Sequence, residues 1–180
     1  MLVKAHFGNP MIEQRSLYEG NSVCLMDPAG VISVSGVDRL NWLHSLLSQN
    51  LKNLTPGESA EALLLDPQGH IEQQIKVIDD GETSWLMVNQ DNTQSLFDWL
   101  TKMVFRMKVE IQNRSSEFVI VGSVKPRPEL AYASNSHPLI WKDQWPVVTP
   151  GGYRYSTRAV TYSWFEHLVE ASKVDSVLSK

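Results

Sequence analysis

An α+β fold, an antiparallel sheet with helices packed on one face, is what this 180-residue sequence predicts. Three observations carry it. Short apolar runs recur between turn formers, as strands do. Two longer segments carry apolar residues at helical spacing. The order of these runs, two strands, a helix, three strands, a helix and two strands, favours neighbouring antiparallel pairs over parallel crossovers.

The first twenty residues are polar and mixed, punctuated by Gly8, Pro10 and Gly20, and read as an arm with one helical turn. Val23 to Met26 and Val31 to Ser35 are strands around the turn Asp27-Pro28-Ala29-Gly30, which makes them a hairpin on sequence grounds. Asp38 stands where an N-cap belongs, before a helix from Arg39 to Gln49 with Leu40, Leu43, Leu46 and Leu47 inward and Trp42 at the margin. Ala60 to Leu65 is apolar, and Asp66-Pro67-Gln68-Gly69 has type I turn chemistry. Ile71 to Ile78 alternates, with Ile71, Gln73, Ile75 and Val77 on one face and Glu72, Gln74 and Lys76 on the other. Asp79-Asp80-Gly81 turns the chain into the strand Ser84 to Asn89. Asp91 or Asn92 caps a helix whose stripe is Leu96, Trp99, Leu100, Met103 and Val104, and strands at Val109 to Gln112 and Phe118 to Val124 follow.

Beyond residue 124 the character changes. Lys125-Pro126-Arg127-Pro128 reads as a linker, the stretch to Gly152 is rich in Pro, Gly and Trp, and Ser163 stands before a last helix, Trp164 to Leu178. The expected division is therefore a core over 1–124 and, over 125–180, a linker with the beginning of a further, incomplete portion. Trp141, Trp145, Tyr153, Tyr155, Trp164 and Phe165 load that second part with aromatic surface, which points to self-association through the residues after Pro126.

Hydrophobic residues at 42% and charged residues at 20% describe an ordinary globular chain. A net charge of −4 argues against direct nucleic-acid binding. No apolar run is long enough to span a membrane, no secretory signal opens the chain, and Cys24 is the one cysteine, so a cytoplasmic protein is expected. Generic catalytic signatures are missing, from phosphate loops to paired metal-binding histidines. Asp79 and Asp80 read as turn formers, and Cys24 as an inert thiol in an apolar strand. Residues alone nominate neither a catalytic group nor a metal site.

One ordered set of motifs says more. Val34-Ser35-Gly36-Val37-Asp38 with Trp42-Leu43, then Leu63-Leu64-Leu65 through Gly69 and Ile71, then Trp85-Leu86-Met87-Val88-Asn89, resembles the glycine-cleavage T-protein (aminomethyltransferase) superfamily. The stretches Ala5 to Arg15, Met103 to Glu110, and Trp141-Lys142-Asp143-Gln144-Trp145-Pro146 through Gly151-Gly152 are similar to its folate-binding YgfZ-type branch. The likeness runs from about residue 5 to about residue 170.

That resemblance implies a T-protein-like folate-binding domain, C-terminally incomplete relative to the family, that takes tetrahydrofolate weakly or only with the missing region. It implies Asn89 as a polar anchor for the pterin edge, Gln73 or Gln74 as a further amide, and Leu46 or Leu47 as an apolar wall. Where the aminomethyltransferases carry two aspartates after the glycine hairpin, this chain has Gln73 and Gln74, and an amide cannot serve as a carboxylate does. The functional expectation is thus the N-terminal part of a YgfZ-type protein that assists iron–sulfur cluster assembly or repair, and through it tRNA modification, with iron–sulfur proteins as partners and no complete catalytic machinery. A glycine-cleavage-type aminomethyltransferase and a non-catalytic domain that pairs with a separate chain are the alternatives.

Overall fold

The computed structural model describes residues 6–144 and 163–178. Eleven strands and four helices are seen among them, and two layers of sheet meet face to face. The larger sheet has the order β3-β4-β5-β2-β6, from Ser59–Leu65, Ile71–Asp79, Thr83–Asn89, Ala29–Ser35 and Glu110–Asn113, and every recorded pairing is antiparallel. Helices α2 (Arg39–Leu46) and α3 (Thr93–Lys102) cover one face of it. Its other face packs on a four-stranded sheet of order β1-β7-β11-β10, from Cys24–Leu25, Phe118–Ser123, Phe165–Glu170 and Ile140–Lys142. A small ladder of β8 (Ala133–Ser134) and β9 (His137–Pro138) stands beside them.

Strand parity divides the larger sheet between its two neighbours. Ile32, Val34, Ala60, Ala62, Leu64, Ile75, Val77, Leu86 and Val88 point at the helices, where Trp42, Leu43, Leu96 and Leu100 close the first apolar cluster. Val31, Ile78, Trp85 and Met87 point the other way and meet Phe118, Ile120, Leu139, Trp141 and Leu168. The antiparallel sheet with helices on one face is as the sequence predicts. The second sheet is the addition.

Four local expectations change. The first residues form a ten-residue helix, α1 (Pro10–Glu19), and not one turn in an arm. Asn9 caps it by accepting from the Met11 N–H at 3.0 Å, Pro10 sits in its first turn, and Gly20 ends it at φ +76°. It buries no residue, which is why no apolar periodicity announces it. Second, Cys24–Leu25 does not form a hairpin with Ala29–Ser35. It pairs with β7, so Asp27-Pro28 carries the chain from one sheet to the other. Third, α2 stops at Leu46, where Leu47 turns extended and drops into the first cluster. The Asp38 carboxylate makes no cap and accepts instead from the Lys108 N–H at 2.8 Å.

The fourth change is the largest. Trp164 to Leu178 is not a helix: Phe165–Glu170 is strand β11, and only α4 (Val174–Leu178), after a 3-10 turn, is helical. Both faces of β11 are covered, so both parities carry large side chains, and such a run cannot be told from a helix by spacing. β11 pairs with β7 over six positions, from Phe165↔Ser123 to Glu170↔Phe118. Residues from either side of position 124 thus build one sheet. Trp141 is buried and donates its indole N–H to the Ala60 carbonyl at 2.9 Å. Trp145, Tyr153, Tyr155 and the Gly151-Gly152 motif lie outside the described residues. Among those described, no helix is long and apolar enough to cross a membrane.

Candidate functional site

Asp79 and Asp80 show how the sequence fixes both faces of the larger sheet. They are neighbours on the chain and point in opposite directions. Asp79 is fully buried and accepts from Arg39 of α2 at 2.7 and 2.9 Å and from the Ser84 hydroxyl at 2.6 Å. Asp80 accepts from the Trp85 indole N–H at 2.9 Å and from the Glu82 and Thr83 N–H groups. Burial would raise the Asp80 carboxyl, but the hydrogen bonds from Ser134, Trp85, Glu82 and Thr83 outweigh it and hold the group below its ordinary value. Both are turn formers, as the sequence suggests, and both are also clamps.

Between the sheets, where β1 hands over to β2, lies a cavity of about 350 Å³. Met26, Asp27, Pro28 and Ala29 line it from the β1–β2 connection; Gln74 and Lys76 reach it from β4, and Met87, Val88 and Asn89 from β5. Asn92, Ile120 and Glu166 complete the lining. The volume is at the lower end of the range for small-molecule sites, and polar and apolar residues share the lining equally.

Each polar group is already oriented. The Asn89 side-chain oxygen accepts from the Asp91 N–H at 2.9 Å, starting the 3-10 turn Gln90–Asn92. That turn is seated by Thr93 on Gly30, where a Cβ would lie 1.7 Å from the Thr93 hydroxyl. The capping role leaves the Asn89 amide nitrogen as the donor it can offer a ligand. Gln74 donates one amide N–H to the Glu61 carboxylate on β3, which leaves its carbonyl oxygen as an acceptor and one further N–H. Glu166 is 5% exposed; one carboxylate oxygen accepts from Lys76 Nζ at 2.6 Å and from the Trp164 indole N–H at 3.2 Å. Lys76 lies 4.6 Å from the centroid of the Trp141 ring, which holds the ion pair across the two sheets. Gly122 is also needed here: a Cβ would lie 2.3 Å from Trp164 and 2.8 Å from Met26 Sδ.

Of the residues nominated from sequence, the cavity brings Gln74 and Asn89 together. Gln73 points the other way, as strand parity requires, and donates to the Ser95 hydroxyl at 3.3 Å. Leu47 is in the first apolar cluster, and Leu46 lines a separate groove between α2 and the loop after α3. The apolar wall is instead Met26, Met87 and Ile120. Lys76 shares a face with Gln74 in the alternation of β4 and could have been found from it. Glu166 could not, because its segment reads as helix.

β4 brings an amide, Gln74, and an ammonium, Lys76, to the cavity, whose carboxylates are Glu166, paired with Lys76, and the exposed Asp27. Cys24 lies outside the lining, half-buried with its sulfur 3.8 Å from Met26 Sδ, and burial pushes its thiol up, away from the reactive thiolate. Among the described residues no cluster of three or more His, Cys, Asp or Glu side chains is placed to hold a metal ion.

Known proteins share this framework. The model of the GCVT N-terminal domain family matches residues 11–127. An aminomethyltransferase from Thermosipho melanesiensis is 26% identical over 101 residues, 56% of this chain and 28% of the relative. The solved glycine cleavage system aminomethyltransferase T from Bartonella henselae superposes with a TM-score of 0.61 at 17% identity, over 87% of this chain and 45% of that one. The chain thus spans less than half the length of either protein.

Proposed function

The chain belongs to the GCVT N-terminal domain family, and on that premise we propose that it holds the pterin ring of a tetrahydrofolate between its sheets without transferring an aminomethyl group. The observation that carries this reading is the polarity of the cavity. Asn89 has a donor to offer, while Gln74 and Glu166 have acceptors. A 2-amino-4-oxopyrimidine edge is the complement, with a carbonyl that accepts and adjacent N–H groups that donate. Met26, Met87 and Ile120 supply apolar surface for the ring. Folate chemistry in the family concerns one-carbon units carried on the reduced ring; what this chain's own residues do is orient the ring edge and exclude water from one face.

Aminomethyl transfer is left out of the reading because Gln73 and Gln74 stand where the resemblance places the family's aspartates, and an amide takes no proton near neutral pH. Within the family, the likeness of the stretches Ala5 to Arg15 and Met103 to Glu110 supports placement in the YgfZ-type branch. The role there is assistance to iron–sulfur cluster assembly or repair and, through it, to tRNA modification.

Titration with tetrahydrofolate, followed by tryptophan fluorescence, tests the binding. Gln74 and Asn89 are exposed, so a bound ring keeps part of its edge in water and an affinity in the millimolar range is expected. Asn89→Asp keeps the capping oxygen but removes the donor, and should weaken binding. A 2,4-diaminopteridine, with a donor in place of the 4-oxo group, should bind less well than its 4-oxo counterpart. Saturation that ignores both changes would refute the assignment, as would turnover of an aminomethylated carrier protein above background.

A further inference from the structure

On the far side of the larger sheet, a second concavity of about 640 Å³ is lined by Trp42, Leu46, Met103, Phe105, Arg106 and Met107. Phe105 is 84% exposed and has φ +44°, a left-handed conformation that a phenylalanine rarely takes. The fold gains no burial from that ring. The Trp42 indole N–H donates to the Met103 carbonyl at 3.0 Å and holds the loop on α2, so the ring is presented by a fixed support. Between Asp98 and Glu110 the chain carries three cations, Lys102, Arg106 and Lys108, and no anion, although the protein as a whole has a net charge of −4. Arg106 lines the concavity, and Lys102 and Lys108 flank it on the chain. None of the three forms an ion pair among the described residues, and the Asp38 carboxylate beside them accepts from the Lys108 N–H at 2.8 Å.

We propose that this groove is a docking site for an acidic segment of a partner protein, one that seats a large apolar side chain against Trp42, Met103 and Phe105 and sets a carboxylate against Arg106. Charge complementarity chooses the occupant: Arg106 in the lining, with Lys102 and Lys108 close to it on the chain of an otherwise acidic protein, favours acidic surfaces here over basic ones. Concavity favours a protruding side chain over a flat surface, and methionine walls adapt to its shape. An exposed aromatic beside an arginine is also the usual composition of an interface anchor.

The test uses the full chain and a fluorescein-labelled helical peptide with leucine and phenylalanine on one face and glutamate on the other, read by anisotropy. Saturable binding is expected, weakened by added salt, with no binding of the same peptide carrying lysine for glutamate. Phe105→Gly should lower the affinity roughly tenfold or more, and Arg106→Glu should do the same. Glycine accepts the positive φ, so an unchanged or raised melting temperature for Phe105→Gly shows that the fold is intact and the loss belongs to the surface. Tetrahydrofolate binding by these variants should match that of the parent chain, which keeps this proposal separate from the cavity. Equal binding of acidic and basic peptides would overturn it. So would full affinity in Phe105→Gly, or tighter association with phosphatidylglycerol vesicles than with the peptide.

Discussion

The two faces of the larger sheet are built on different terms. The helix-covered face is closed by residues between Ile32 and Ile111, and its interior is apolar apart from Thr93 and the Arg39–Asp79–Ser84 cluster. The sheet-covered face recruits partners as distant as Met26 and Leu168 and has a part-buried ion pair, Lys76–Glu166, between its two sheets. One face is a core made by local periodicity. The other is assembled late in the chain, and the candidate site sits where its assembly leaves a gap.

The comparison can be broken first at the two aspartates. Asp79→Ala leaves the Arg39 guanidinium without its buried partner and should cost about 3–5 kcal/mol. Asp80→Ala removes an acceptor from Trp85 and two backbone N–H groups on the other face and should cost less, about 1–3 kcal/mol. Urea unfolding of both variants checks the order, and the reverse order would mean that the sheet-covered face is the stronger clamp. Leu168→Ala, at a side chain with no exposure, should cost about 2–5 kcal/mol. If the faces form one cooperative unit, hydrogen exchange in that variant rises at Ile75 and Leu86 as well as on β11. A rise confined to β11 would show that they open separately.

Acid should sharpen the contrast. His167 is fully buried on β11, with Nε2 accepting from the Arg127 N–H at 2.9 Å and Nδ1 2.9 Å from the Val121 carbonyl, so the neutral ring with its proton on Nδ1 satisfies both. Burial pushes its pKa down, with the hydrogen bond to Val121 opposing. The folded state therefore binds the proton less well than the unfolded chain. The stabilisation is complete above the unfolded value, about 6.5, and is lost as pH falls toward the folded one. The urea midpoint of the parent should drop between pH of about 7.5 and about 5.5, and more steeply than that of His167→Gln. Equal slopes would remove His167 as the cause. Asp80, held below its ordinary value, acts in the same direction at lower pH.

The smallest expected effect is a gain. Phe105→Gly relieves a left-handed residue whose ring is mostly exposed and should add up to about 1 kcal/mol, the relief of the positive φ outweighing glycine's extra unfolded-state entropy, seen as a higher melting temperature. A loss of stability would mean that the phenylalanine ring contributes to the fold after all.

Much of the helix-covered face was legible beforehand. Leu43, Leu96 and Leu100 recur at helical spacing, and Ile75 and Val77 alternate with Gln74 and Lys76, so parity alone assigns their sides. Asn89 was nominated from a motif, and its strand end is where a cap before the next helix would be expected. Gln73 and Gln74 could not be separated by the motif, yet parity allows only one of them into the cavity. Glu166 had no signal, because a strand covered on both faces loses the alternation that would identify it.

By itself, then, the sequence determined which segments alternate, which residues turn the chain, and that the strand after the Asp66–Gly69 turn carries the adjacent amides Gln73 and Gln74. Those are properties of neighbours on the chain, set by side-chain type and spacing. Only the tertiary structure decided that Cys24–Leu25 leaves its expected hairpin for β7, that Phe165–Glu170 becomes a strand, and that Glu166 meets Lys76 across 90 residues of chain. The reason is energetic: each of these choices is repaid by surface buried against a distant partner, and no local pattern records who that partner will be.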